Sequence, residues 1–109
     1  MTIITITKSS DDNYTEIECK GHAGYAEYGE DIVCAALSVL TINTVNSIKQ
    51  LTEDKIKVFE SENDGIIRMT FKDTPSKEAD LLLKSFELGV KGISDQYGSK
   101  FLNIKFRRV

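Results

Sequence analysis

Cysteine, histidine and proline are scarce in this chain: its 109 residues hold two cysteines, one histidine and one proline. Cys19 and Cys34 could form a single bridge, but the cytosolic setting expected below argues against a structural disulfide. A chain of this length can bury a core without one. One histidine also leaves little for zinc. Cys19 and His22 have the spacing of a ligand pair and Cys34 could add a third, but a fourth would have to be Asp or Glu. No metal or other cofactor is therefore expected. There is no basic tract, and the net charge is -3, so direct nucleic-acid binding through neutralised phosphates is not expected. The basic stretch Lys105-Phe106-Arg107-Arg108-Val109 reads as a solvated strand end. The longest apolar run, residues 32–40, is too short to span a bilayer. The opening Thr-Ile-Ile-Thr-Ile-Thr alternates and lacks a basic leader, so no signal peptide and no membrane partner are expected. The expected location is the cytoplasm. No repeat, linker or low-complexity tract divides residues 1–109, which read as one domain.

What is present is a clear alternation of elements. Residues 2–8 alternate and are rich in β-branched side chains, residues 9–13 are turn formers, and residues 14–20 make a second strand. Residues 21–30 hold three glycines and no periodicity, and read as a loop. Residues 31–52 read as a helix opening at Asp31 as its N-cap. Its early turns are apolar on nearly all sides, which predicts a buried helix. Strands follow at 55–60 and 65–72, with Asn63-Asp64-Gly65 as the turn. Thr74-Pro75 reads as a cap and first helical residue. The second helix runs to about Tyr97, with Gly98 as its stop. A last strand covers 101–107. The order is ββαββαβ, an α+β fold with a mostly antiparallel sheet packed with two helices.

The chemistry concentrates between Gly21 and Ser38. With Asp31 as N-cap, Cys34 falls in the first helical turn, where unpaired N–H groups favour a thiolate and offer donors to an oxyanion. His22 stands twelve residues upstream, across a loop that Gly21, Gly24 and Gly29 allow to fold back. A histidine within reach of a cysteine can take its proton and later return it to a leaving amine. Asp31 could cap the helix or orient His22. Ser38 lies one turn after Cys34 on the same face; its hydroxyl could bond the sulfur, a substrate, or the Cys34 carbonyl. Tyr25 and Tyr28 could contact substrate or simply pack the loop down. The plainer readings are a core cysteine and a solvated loop histidine. Cys19, in strand alternation with Ile17, reads as a small core hydrophobe.

Gly21-His22-Ala23, then Gly29-Glu30-Asp31-Ile32-Val33-Cys34-Ala35-Ala36-Leu37-Ser38 after a Gly/Tyr-rich loop, resembles the signature of the ribosomal-processing cysteine protease family, Prp. The resemblance covers the whole chain in length and element order. It implies a cytoplasmic, homodimeric endopeptidase that removes the N-terminal extension of large-subunit ribosomal protein twenty-seven, cutting after an aromatic residue in a short hydrophobic motif. By the family pattern Cys34 is the nucleophile and His22 the general acid/base. Asp31 and Ser38 support them. Gly21, Ala23, Gly24, Tyr25, Tyr28 and Gly29 form the substrate loop. The competing reading is a non-catalytic, ribosome-associated peptide-binding module; a redox or metal-sensing thiol protein is a third.

Overall fold

The structure is a computed structural model that describes residues 1–21 and 28–109, the side chains of 28–31 excepted. Strand β1 (Thr2–Lys8) and strand β2 (Tyr14–Lys20) form the opening hairpin. They pair antiparallel with Ile4 opposite Cys19 and Ile6 opposite Ile17. Their alternation puts Thr2, Ile4, Ile6, Ile17 and Cys19 in the interior. Asp12 takes a positive φ of 66° in the connecting turn, a conformation that aspartate tolerates better than most residues. Strand β3 (Ile56–Ser61) and strand β4 (Ile66–Phe71) make a second hairpin, and β4 pairs antiparallel with β2. Strand β5 (Leu102–Arg108) lies parallel to β1. The sheet order is β3-β4-β2-β1-β5. The sheet is thus mostly antiparallel as the sequence pattern implied, with the β1–β5 pair as its parallel seam.

Helix α1 (Tyr28–Leu51) and helix α2 (Lys77–Tyr97) pack against each other and share one core with the inward strand residues. Val33, Leu37, Val45 and Ile48 of α1 meet Ala79, Leu83, Phe86 and Val90 of α2 in that core. Each large apolar side chain removed from water there contributes about 1.5–3 kcal/mol before ordering costs. Thr41 and Thr44 are also buried. Their hydroxyls donate to the Leu37 and Leu40 carbonyls at 2.7 and 2.9 Å, which removes the penalty of an unpaired buried oxygen.

Several expectations need correcting. Helix α1 begins at Tyr28, so residues 28–30 are helix and not loop, and Asp31 is its fourth residue instead of its N-cap. The helix is also not buried all round, because Ile32, Val39 and Ile42 are exposed. Its Ile32–Leu51 stretch is long and apolar enough to cross a membrane by length and composition, contrary to the estimate from the longest unbroken apolar run. In this fold that length instead lies along the sheet, with Val33, Leu37, Val45 and Ile48 as the buried stripe. Helix α2 is capped by Ser76, not Thr74: the Ser76 hydroxyl accepts the Ala79 N–H at 3.1 Å. Pro75 precedes the cap. Gly98 ends the helix at φ 79°, as its position suggested.

Candidate active site

The site is assembled where the end of β2, the β3–β4 turn and the α1 flank converge. Gly21 follows β2 directly, and its N–H donates to the Gly65 carbonyl at 2.9 Å. Gly65 occupies the left-handed region at φ 64°, and a Cβ there would run into the Gly21 carbonyl. A Cβ on Gly21 would stand 2.6 Å from Cys34 Sγ and 3.7 Å from Thr2 Oγ1. Real carbons do not approach sulfur that closely, so Gly21 is required by close contact with Cys34 rather than by a turn. Two glycines without side chains therefore let the end of β2, the β3–β4 turn and one thiol meet. The Thr2 hydroxyl beside them is fully buried and has no hydrogen-bond partner among the described residues.

Cys34 is the seventh residue of α1. Its backbone N–H falls inside the i to i−4 ladder, not among the unpaired donors of the first turn. The helix-terminus field fades within that turn. The expected help to a thiolate from the helix end, and the use of the Cys34 N–H as an oxyanion donor, are withdrawn on this geometry. What α1 does provide is a ladder of side chains. Cys34, Ser38 and Ile42 recur at intervals of four and share one flank of the helix.

That flank forms one wall of a groove of about 370 Å³. The opposite wall is Gly65, Ile66 and Ile67 with Glu60, Ser61 and Glu62, and Cys19 and Gly21 also line it. The two thiols are both free but differ in setting: Cys19 is buried and Cys34 half-buried. Burial pushes the Cys19 thiol up to about 11, and the Cys34 sulfur nearby adds to this, while the Thr41 and Ser38 hydroxyls pull the other way. Cys19 is thus a neutral thiol in the groove wall at ordinary pH, consistent with its reading as a small core hydrophobe. Ser38, which lines the groove with both thiols, makes no return bond to the Cys34 carbonyl of the kind Thr41 and Thr44 make one turn back.

Of the residues singled out from the sequence, the structure brings together Gly21, Cys34 and Ser38. Tyr28 and Gly29 lie in the first turn of α1, which corrects their placement in a loop, and Asp31 lies inside the helix instead of at its cap. His22, Ala23, Gly24 and Tyr25 lie outside the described residues. Sequence reasoning missed Gly65, Ile42, Ile66, Ile67 and Glu60. Gly65 was visible only as a turn residue, because its contact with Gly21 crosses 44 positions of chain.

Comparison with known proteins bears on the family and on the fold. The family described as cysteine protease Prp matches residues 1–102. The ribosomal processing cysteine protease Prp of Staphylococcus aureus is 32% identical over 106 residues, which span 96% of this chain and all 100% of that protein. A crystal structure of an essential ribosomal processing protease Prp from S. aureus with a substrate peptide superposes with a TM-score of 0.91 at 27% identity, covering 98% of this chain and 100% of that one. A second, with a covalently linked product peptide, gives 0.85 at 29% identity with the same coverage.

Proposed function

Since the chain belongs to the cysteine protease Prp family, we propose that it is the processing endopeptidase that removes the N-terminal extension of bacterial large-subunit ribosomal protein twenty-seven. The observation that carries this reading is the pair of thiols in one peptide-sized groove. Cys19 is closed into the sheet as a neutral thiol, and Cys34 is half-open on the helix flank. A nucleophile must reach substrate, so Cys34 is the residue to attack.

In this reading Cys34 Sγ adds to the scissile carbonyl carbon and the C–N bond breaks to leave a thioester. His22 takes the thiol proton and delivers it to the departing amine. It then takes a proton from the water that adds to the thioester; the C–S bond breaks, the acid leaves, and the proton returns to the Cys34 sulfur. Gly21, whose Cα faces Cys34 Sγ, is followed directly by His22 in the sequence, and neighbouring residues cannot stray far from one another. The tether supports an imidazole close to the sulfur. With the helix end too far away to assist, His22 carries the activation of Cys34. Asp31, released from the capping role, lies one turn before Cys34 on the same side of α1 and is the group to orient the imidazole. Ser38 positions the two sulfurs. The apolar wall of Ile42, Ile66 and Ile67 suits the short hydrophobic motif and the aromatic residue that precedes the cut. The enzyme acts as a homodimer in the cytoplasm, without a cofactor.

The test is incubation with full-length ribosomal protein twenty-seven from the same organism, with Cys34→Ser in parallel, read by mass spectrometry. Loss of the extension only with the native thiol is expected. An intact substrate with folded, reduced protein would overturn the reading in favour of a peptide-binding module without turnover.

A further inference from the structure

One residue of the groove breaks the logic of its own strand. In β3, Ile56 and Val58 point toward the helices and pack on the core. The alternation carries Glu60 to the same face, in a row with Ile67 and Cys19. A carboxylate stands where the pattern calls for an apolar side chain, exposed at the groove wall opposite Ile42 and Ser38. Glu62, also exposed, follows at the turn of the same hairpin.

Several carboxylates around the sheet are held by a cation or a donor. Glu18 is held by Arg68 at 2.7 Å, Glu16 by Thr70 at 2.9 Å, Glu87 by Tyr14 and Lys91 at 3.0 and 2.9 Å, and Asp12 by Arg108 at 2.9 Å. Among the described residues no cation or hydrogen-bond donor engages Glu60 or Glu62. Their groove neighbours Ile42, Ile66 and Ile67 are apolar and offer them no counter-charge. Both carboxylates line the same groove as Cys34. The Glu60 row is two strand spacings from β2, about 9–10 Å, and a lysine or arginine stem covers most of such a gap.

We propose that Glu60, supported by Glu62, is a specificity-determining residue that selects peptides carrying a lysine or arginine within about three residues of the scissile bond. The inference rests on the peptidase reading of the same groove. Apolar side chains fill the isoleucine wall, and the basic side chain fixes the register in which the chain slides past Cys34. A groove that is only apolar would accept several registers of a hydrophobic segment. One charge pair at its edge leaves one register favoured.

The experiment compares two synthetic substrate peptides that differ by Lys against Gln at one position near the cut, with native protein, Glu60→Gln/Glu62→Gln and Glu60→Lys, each checked for folding by circular dichroism. Native protein is expected to prefer the lysine peptide by roughly threefold to tenfold in kcat/KM, mostly through KM, with the preference fading at high salt. The double variant should bring the ratio near unity without salt dependence, and Glu60→Lys should reverse it toward a Glu-bearing peptide. An unchanged ratio in all three proteins overturns the proposal. The same ratios read as peptide affinity on Cys34→Ala separate the two claims. Charge-selective binding without turnover by native protein defeats the protease reading and keeps this one. Turnover without charge selectivity does the reverse.

Discussion

Both helices begin beside a hollow, and the two hollows are built in opposite ways. At the start of α2, which lies near the end of α1, the polar groups close on one another. Asp54 accepts the Ser76 N–H at 2.8 Å and the Ser76 hydroxyl, and that hydroxyl accepts the Ala79 N–H at 3.1 Å. The cavity there is the larger, about 580 Å³, and Glu53, Asp54, Asp73 and Glu78 line it, yet its best-placed carboxylate is already saturated. Near the start of α1 the smaller groove keeps a half-open thiol and two carboxylates that no cation or donor among the described residues engages. The first hollow commits its central carboxylate to holding the start of α2, and the second keeps a thiol open to another molecule. Cavity size alone would have pointed to the wrong end of α1.

Substitutions at the two ends should therefore separate activity from stability. The largest effect is expected from Cys34→Ala, which should lower peptide cleavage by roughly 10⁴ or more while moving the urea midpoint little; residual native-level cleavage would break the comparison at its root. Next come the glycines. Gly65→Ala places a Cβ at positive φ against the Gly21 carbonyl and should cost about 1–3 kcal/mol of stability. Gly21→Ala must push Cys34 Sγ aside, and is expected to cut kcat by about 10–100-fold, since misplacement of a reacting atom by a fraction of an ångström is felt strongly. If Gly21→Ala lowers only stability, its contact with the sulfur has no bearing on catalysis.

At the other end, Ser76→Ala should cost about 1 kcal/mol with activity per folded molecule retained, measured by denaturant melts and active-site titration. Asp54→Asn adds a pH signature. Burial pushes the Asp54 carboxyl up, but the Ser76 hydroxyl and N–H outweigh it and hold it below its ordinary value. A depressed carboxylate contributes stability that is present above its unfolded value, about 3.9, and is lost as pH falls through the folded one. The gap between native protein and Asp54→Asn should therefore close below about pH 4; a constant gap down to low pH would remove the carboxylate from the account. The smallest effect is chemical. With its thiol near 11, Cys19 should resist iodoacetamide near neutral pH while Cys34 is labelled, as peptide mapping would show. Equal labelling in folded protein would erase the contrast between the two thiols.

Much of the fold was legible because its signals are local. Alternation marked β1 and β2 to the residue, and Gly98 marked the end of α2. Helix starts were harder for a physical reason. Asp31 and Thr74 carry the side chains of caps, but tertiary contacts decide which residue caps. Ser76 is chosen because Asp54, 22 positions away, binds it. Gly29 argued against a helix by roughly 1 kcal/mol, which packing of Val33 and Leu37 on the sheet easily offsets. At the site, Cys34 and Gly21 were marked by residue type and spacing. Gly65 and the isoleucine wall were not, since they arrive through sheet pairing, and nothing in a linear pattern reports which strands become neighbours.

The parallel seam between β1 and β5 sets a clock on synthesis. The first strand leaves the ribosome early, but the strand that covers its outer side comes 94 residues later, at Leu102. At ordinary translation speeds that delay is on the order of 5–20 s. For that interval β1 is an uncovered edge of threonine and isoleucine, the kind of segment that recruits stray strands. A nascent chain of this protein therefore covers β1 only once Leu102–Arg108 has emerged, and until then Thr2–Lys8 needs shielding from stray strands.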